Sequence, residues 1–167
     1  LSASSAASEV YKRQLQHAST CFAPKDIKPQ DPELATTLVQ RIFGGRLRSR
    51  VTCHSCRHNS DTYDPVMDLS LDVRKGIHSV KQALEAFTAP EELADKYRCD
   101  QCHKSVNATK RFSIEQTPMV LTVHLKRFGI FGNKINKPIS YAERLQLGRY
   151  MSERTADTDA YRLYAIV

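Results

Sequence analysis

The chain has 167 residues, 41% hydrophobic and 26% charged, enough for one globular domain with a small projecting subdomain and too well mixed for large-scale disorder. No apolar run approaches the ~18 residues that cross a bilayer, and the N-terminus lacks the charged and apolar regions of a signal peptide, so a soluble, intracellular, non-membrane protein is expected. A net charge of +7 with a pI near 9.3 allows an acidic partner or a nucleic acid without demanding either.

Residues 1–8 are small and rich in Ser and Ala. Residues 9–18 read as a helix, with Val10, Leu15 and Ala18 near one stripe and a Glu9/Arg13 pair at i,i+4. Pro24, Pro29 and Pro32 make 20–32 a loop. Residues 34–43 are again helix-compatible, and Gly44-Gly45 supplies a C-terminal stop. After it the period changes to two. Residues 46–52 and 59–63 flank Cys53-His54-Ser55-Cys56 as an antiparallel ribbon would, with 53–57 as its turn. Arg46, Arg48 and Arg50 alternate with Leu47, Ser49 and Val51, so a strand here puts three guanidinium groups on one face. A solvated edge-strand face, where charge discourages aggregation, is one reading; a nucleic-acid contact is the other, although the chain has no Trp and no aromatic interleaving.

Residues 66–74 set Met67, Leu69, Leu71 and Val73 against Asp68, Ser70 and Asp72, a half-buried strand. Ser79 opens a helix with Gln82 three residues on, a capping box, and Val80, Ala83, Leu84 and Phe87 form its apolar stripe. Residues 95–98 and 105–114 flank Cys99-Asp100-Gln101-Cys102 as the first ribbon flanks its own pair, with Val106, Ala108, Phe112 and Ile114 in step. Residues 119–128 are apolar on both faces and predict a central strand, which makes His124 a satisfied core histidine in preference to a catalytic base, since no partner carboxylate lies nearby. Gly129, Gly132 and Asn133 mark a mobile hairpin loop. Residues 161–167 form a bulky apolar strand that runs to the last residue and suggests a truncated chain. The fold class is α+β: a mainly antiparallel sheet, helices on one side and a β projection.

Four of the five cysteines stand in the two C-x-x-C pairs. Thiolates are soft, charged ligands, and a two-residue spacer lets one turn aim both sulfurs at a single ion. Cys53, Cys56, Cys99 and Cys102 therefore predict one closed, structural zinc site. Two disulfides or metal-free knuckles are the alternatives; a chain able to bury a core without staples favours reduced thiols. His54, His58 and His103 are read as solvated neighbours. Cys21 is the remaining thiol, but it precedes a Pro-rich loop and not a helix N-terminus that would lower its pKa, so an ordinary partly buried thiol is expected there.

In order, Phe43-Gly44-Gly45, Cys53-His54-Ser55-Cys56, Asp68-Leu69-Ser70-Leu71-Asp72-Val73, Tyr97-Arg98-Cys99-Asp100-Gln101-Cys102 and Val120-Leu121-Thr122-Val123-His124-Leu125-Lys126-Arg127-Phe128 resemble the catalytic domain of ubiquitin-specific proteases, cysteine peptidases of family C19. Residues 161–167 resemble the strand leading to the family's histidine box. The stretches 43–51 and 60–65 look most like the nucleolar branch, which implies a nuclear or nucleolar location, with the cytoplasm as the alternative. The resemblance implies a papain-like hand of thumb, palm and fingers gripping ubiquitin: 1–45 the end of the thumb and a connector, 46–63 and 95–114 the zinc fingers, 64–94 and 115–167 the palm. It implies a monomer, with ubiquitin and ubiquitinated proteins as partners, and thiol-dependent hydrolysis of the isopeptide bond at ubiquitin's C-terminal glycine. The family's cysteine and histidine boxes match nothing here, so no catalytic residue is assigned and the chain alone is expected to be inactive. A basic zinc-ribbon module for nucleic acid and a non-catalytic ubiquitin-binding scaffold are the alternatives.

Overall fold

The structure, a computed structural model, describes residues 37–167 apart from 75, 129–133 and 154–159. The expected helix at 9–18, the Pro-rich loop at 20–32, Cys21 and the tip of the glycine-containing loop lie outside the described residues.

Helix α1 (Leu38–Phe43) starts at Thr37, whose hydroxyl accepts from the Gln40 N–H at 3.2 Å, the N-cap arrangement that satisfies an orphan donor. It ends at Gly44, but not by the expected left-handed stop. Gly44 is extended, at φ −74° and ψ 125°, and glycine is required for space: a Cβ there would lie 2.2 Å from the Gln40 carbonyl oxygen. Gly45 is needed for the same reason, since its Cβ would meet the Gln116 carbonyl at 2.8 Å. The pair lets the helix turn directly into β1 (Gly45–Cys53) while that strand lies tight against the Gln116 backbone.

Strand β1 pairs antiparallel with β2 (Asn59–Val66) on one edge and with β7 (Ala108–Gln116) on the other. The two-residue β4 (Glu91–Glu92) adds to β7, giving the order β2-β1-β7-β4. Short strands β5 (Tyr97–Arg98) and β6 (Ser105–Val106) make a second antiparallel ribbon. Period two runs cleanly along β1: Gly45, Leu47, Ser49 and Cys53 are buried, and the arginines between them face the other way. A bulge between Arg46 and Leu47 shifts the register against β7, so that Leu47 still meets Ile114 in the core.

The core gathers at the base of this sheet, where Leu47 and Ile114 meet Leu69 and Leu71 of β3 (Leu69–Asp72), Ala83 and Leu84 of α2 (Val80–Phe87), and Leu147 and Tyr150. Each fully buried leucine among them contributes about 1.5–3 kcal/mol. Ser79 caps α2, accepting from the Gln82 N–H at 3.1 Å, while the Gln82 side chain returns to the His78 N–H and not to that of the cap residue. The apolar stripe is as expected, with Ala83 and Leu84 buried and Phe87 stacked on Phe112 at 5.5 Å between ring centroids.

Strand β8 (Val123–Lys126) pairs parallel with β3, Leu69 to Val123 and Leu71 to Leu125. It is shorter than expected, and among the described residues it has one strand neighbour, so it is not a central strand. Upstream of it, Val120 gives its N–H to the distant Ile42 carbonyl at the end of α1, and Pro118 has none to give. The expected strand at 66–74 is likewise divided, Val66 ending β2 and Leu69 starting β3. β9 (Arg144–Gln146) pairs antiparallel with β10 (Ala160–Arg162). β10 is all that forms of the strand expected over 161–167; Tyr164, Ile166 and Val167 are exposed.

Candidate metal centre

Each C-x-x-C pair sits where a ribbon turns, and the two turns share one hydrogen-bond pattern. In the first, the Cys53 N–H donates to the His58 carbonyl at 2.9 Å and the Arg57 N–H returns to the Cys53 carbonyl at 3.0 Å. In the second, the Cys99 N–H donates to the Lys104 carbonyl at 3.1 Å and the His103 N–H to the Cys99 carbonyl at 2.8 Å. Both turns close through a left-handed residue immediately after the second cysteine, Arg57 at φ 62° and His103 at φ 57°. Those are the positive-φ non-glycine residues among the described residues, and a side chain there costs about 1–2 kcal/mol. The backbone is bent in the same unfavourable way twice to aim sulfur pairs.

The tips are brought together by β1 and β7. Cys53 stands opposite Ala108, and the His54 N–H donates to the Asn107 carbonyl at 3.1 Å, just beyond β6. As a result Cys53, Cys56, Cys99 and Cys102 place their sulfurs within 4.8 Å of one another. Cys56 and Cys99 are 3.6 Å apart, and Cys53 and Cys102 are 4.0 Å apart. Four sulfurs held tetrahedrally ~2.3 Å from one ion stand about 3.8 Å from each other, so the donor set fits zinc in kind, number and spacing. The separations are too long for disulfides, and all four thiols are free.

Electrostatics point the same way. The Cys53 thiol is drawn down to about 7, first by the Cys56 backbone N–H, against the effect of burial. Cys56 is pushed up to about 12: the His58 backbone group pulls it down, but desolvation and the thiols of Cys53, Cys99 and Cys102 outweigh that pull. Touching thiols lose protons in sequence, each thiolate hindering the next. A divalent cation removes that hindrance.

Around the cluster, the histidines are not ligands. His54 is exposed and bonds Thr109 Oγ1 at 2.6 Å, while the Thr109 hydroxyl donates to Glu92 at 3.0 Å. With that proton given to Glu92, His54 Nε2 is the donor. His58 and His103 serve through their backbone groups. His124 is half-buried on β8 opposite Ser70, and the described residues bring no cysteine and histidine together as a catalytic pair.

The arginine face was legible in the sequence, but its partners were not. Arg50 meets Asp61 through two bonds of 2.7 and 2.6 Å, and Arg48 reaches the Ser152 carbonyl at 3.1 Å. Counting outward from the first turn would have found Asp61, since Thr52 opposite Asn59 implies Arg50 opposite Asp61. Nothing local signals Ser152. Arg127, just after β8, was also missed: its Nη1 holds the carbonyls of Ile135 and Lys137 at 3.3 and 2.9 Å, on the far side of the glycine-containing loop.

The family model described as ubiquitin carboxyl-terminal hydrolase matches residues 4–167. Ubiquitin carboxyl-terminal hydrolase 42 of Homo sapiens is 48% identical over 136 residues, 80% of this chain and 10% of that protein. Ubiquitin carboxyl-terminal hydrolase 19 of Arabidopsis thaliana is 44% identical over 147 residues, 86% of this chain and 21% of that protein. The chain thus spans a small part of the curated relatives it matches. Among solved structures, a SAGA DUB module of Ubp8, Sgf11, Sus1 and Sgf73 bound to monoubiquitin matches with TM-score 0.65 and 32% identity, over 74% of this chain and 29% of that one. A second SAGA DUB module, with a shortened Sgf11, matches with TM-score 0.77 and 26% identity, over 93% and 38%.

Proposed function

The chain belongs to the ubiquitin carboxyl-terminal hydrolase family, and from that premise we propose that it is the ubiquitin-gripping part of a deubiquitinating cysteine protease. The observation that carries the reading is the meeting of two ribbons at a four-thiol tip. Cys53, Cys56, Cys99 and Cys102 hold one structural zinc ion there. Zinc in a closed thiolate shell supplies rigidity and no open position for chemistry. The β1 and β7 strands then set the direction of the projection, and ubiquitin is held against it while the isopeptide bond at its C-terminal glycine is cleaved.

Cleavage itself requires a thiolate nucleophile, a histidine base and a residue orienting that base. The chain alone is expected to bind ubiquitin and not turn it over. Two measurements test this. Saturable ubiquitin binding with no release of fluorophore from a ubiquitin C-terminal substrate is the expected pair of results; turnover that vanishes in Cys21→Ala overturns the assignment of chemistry to residues outside this chain. Metal analysis should find one zinc per chain, and well under one equivalent with all four thiols free rejects the metal.

The nucleic-acid reading loses support from the arginine face. Arg50 is neutralised by Asp61 and Arg48 is tied by Nη2 to the backbone of Ser152, which leaves Arg46 as the freely exposed member. Steeply salt-dependent binding of a nucleic acid, lost in Arg46→Ala, would restore it.

A further inference from the structure

Strand β2 forms one edge of the four-stranded sheet, and Tyr63 on it is 47% exposed, with no hydrogen-bond partner for its hydroxyl among the described residues. The register places Tyr63 directly opposite Arg48, with Arg46 and Arg50 as its diagonal neighbours on the same face. Directly opposite side chains stand ~4.5–5.5 Å apart at Cβ and diagonal ones ~7–8 Å, within reach of long side chains. Across β1, Arg50 in turn faces Arg111, a like-charge pairing that is unfavourable by itself.

Among the described strand residues four arginines share this face with two carboxylates, and both of these have partners. Asp61 is committed to Arg50 through both oxygens, and Glu115 of β7 accepts from the Ser152 hydroxyl. Arg111 gives its Nε to the Thr88 carbonyl at 3.0 Å, away from Tyr63. Arg48 is only partly used: Nη2 donates to Ser152, while its Nε is buried with no hydrogen-bond partner. A buried donor without an acceptor costs about 1–3 kcal/mol. Arg46 is exposed and makes no ion pair among the described residues. Arg46 and Arg48 thus keep donors without an acceptor among the described residues, and on the edge strand Tyr63 stands opposite Arg48 and diagonal to Arg46.

We propose that Tyr63 is a phosphorylation site whose phosphate is bound in cis by Arg48 and Arg46. The phenolic oxygen attacks the γ-phosphorus of a nucleoside triphosphate held by a tyrosine kinase. The new O–P bond forms as the bond to the diphosphate breaks; the diphosphate leaves with the electron pair, and the phenolic proton passes to the kinase's base. Asp61 and Asp64 flank the tyrosine, which fits a kinase with a basic substrate groove. The phosphate brings a charge of about −1.5 to −2 and three acceptor oxygens. Asp61, two residues away on the same face, repels it and stays with Arg50, so the phosphate goes to Arg48 and Arg46. The modified strand is pinned more firmly to β1.

The test places phosphotyrosine at position 63 of the full chain by genetic encoding and follows the phosphate by phosphorus NMR as pH is varied. The expected result is a second phosphate pKa about one unit below its usual ~6, relaxing toward that value in Arg46→Ala and in Arg48→Ala. Titration at the usual value in the folded, phosphorylated chain overturns the proposal. Because Arg48 is partly buried and its loss can unfold the sheet, the exposed Arg46 variant keeps the outcome readable. In a second arm, an acid-directed tyrosine kinase and ATP act on the native chain. Phosphate on Tyr63 by mass spectrometry, absent in Tyr63→Phe, supports the site; phosphate on other tyrosines but not on Tyr63 overturns it. Neither arm depends on zinc or on ubiquitin.

Discussion

Arg50 and Asp61 face each other across the first ribbon and join through two parallel bonds, Nε to Oδ1 at 2.7 Å and Nη2 to Oδ2 at 2.6 Å. The guanidinium beside it, acting first through that hydrogen bond, holds the Asp61 carboxyl below its ordinary value, and Asp61 holds Arg50 above its own. A carboxyl with a depressed folded pKa adds stability above its unfolded pKa of ~3.9 and loses it as pH falls through the folded value. The pair is partly exposed, with side chains 35% and 21% accessible, so its worth is at most about 1 kcal/mol. Asp61→Asn should therefore unfold at lower denaturant than the parent at pH 7 and at pH 5, with the gap closing below pH 4. A gap that stays constant down to pH 3 would show that the ion pair is not its source.

Metal removal should act on the tip and spare the base. β5 and β6 have two residues each, too few to stand without the cluster. Chelation, or Cys99→Ser at a fully buried sulfur, should abolish the equivalent of zinc and cost several kcal/mol, part of the ~10–16 kcal/mol that structural zinc provides in small peptides. Hydrogen exchange should speed up at His54 and Cys99 first and leave Leu84 and Leu71 protected. Equal loss of protection everywhere would mean that the tip and the core unfold as one unit.

The left-handed residues after each cysteine pair make a sharper test of the turns. Glycine adopts φ near +60° without a Cβ penalty, while its extra freedom in the unfolded chain offsets much of the gain. Arg57→Gly and His103→Gly should thus be neutral or slightly stabilising in zinc-loaded protein. Arg57→Val, β-branched at the same dihedral angle, should cost about 1–2 kcal/mol or more and weaken zinc retention. Thermal melts with a parallel zinc titration read both; a stability loss in the glycine variants as large as that of Arg57→Val would reject the shared turn geometry.

Two glycines should respond oppositely to the usual expectation that a positive φ marks the critical one. Gly76 has φ +70° but open space around it, whereas Gly44 has an ordinary φ and no room. Gly76→Ala should cost about 1 kcal/mol of backbone strain. Gly44→Ala drives a Cβ into backbone and should cost at least ~1–3 kcal/mol, while separating α1 from β1. Comparable denaturation midpoints for the two variants would contradict this.

Much of the molecule follows from local patterning. The period-two run from Leu47 to Cys53, the Ser79 cap and the stripe ending in Phe87 appear in the structure as read, because each depends on neighbours one to four residues away. The same holds for the thiols within each knuckle. Locality also explains the errors. Residues 119–122 have the composition of a strand, yet the Val120 N–H is taken by the distant Ile42 carbonyl. Gly44 has the sequence signature of a left-handed cap, but what its position demands is room beneath the Gln40 carbonyl.

What the sequence alone determined is the chemistry available: four soft ligands in two turns, an arginine-bearing face, a capped helix and the alternations that sort inside from outside. Only the tertiary structure decided how those parts meet. That two knuckles share one centre was expected from the paired spacing; the β1 and β7 register is what brings their sulfurs to 3.6 and 4.0 Å across the pair. That Arg48 finds the Ser152 carbonyl, for which nothing local gives a signal, follows from the same long-range packing. The physical reason is that side-chain identity sets what an interaction can be, while backbone hydrogen bonding between distant segments sets which groups come within its range.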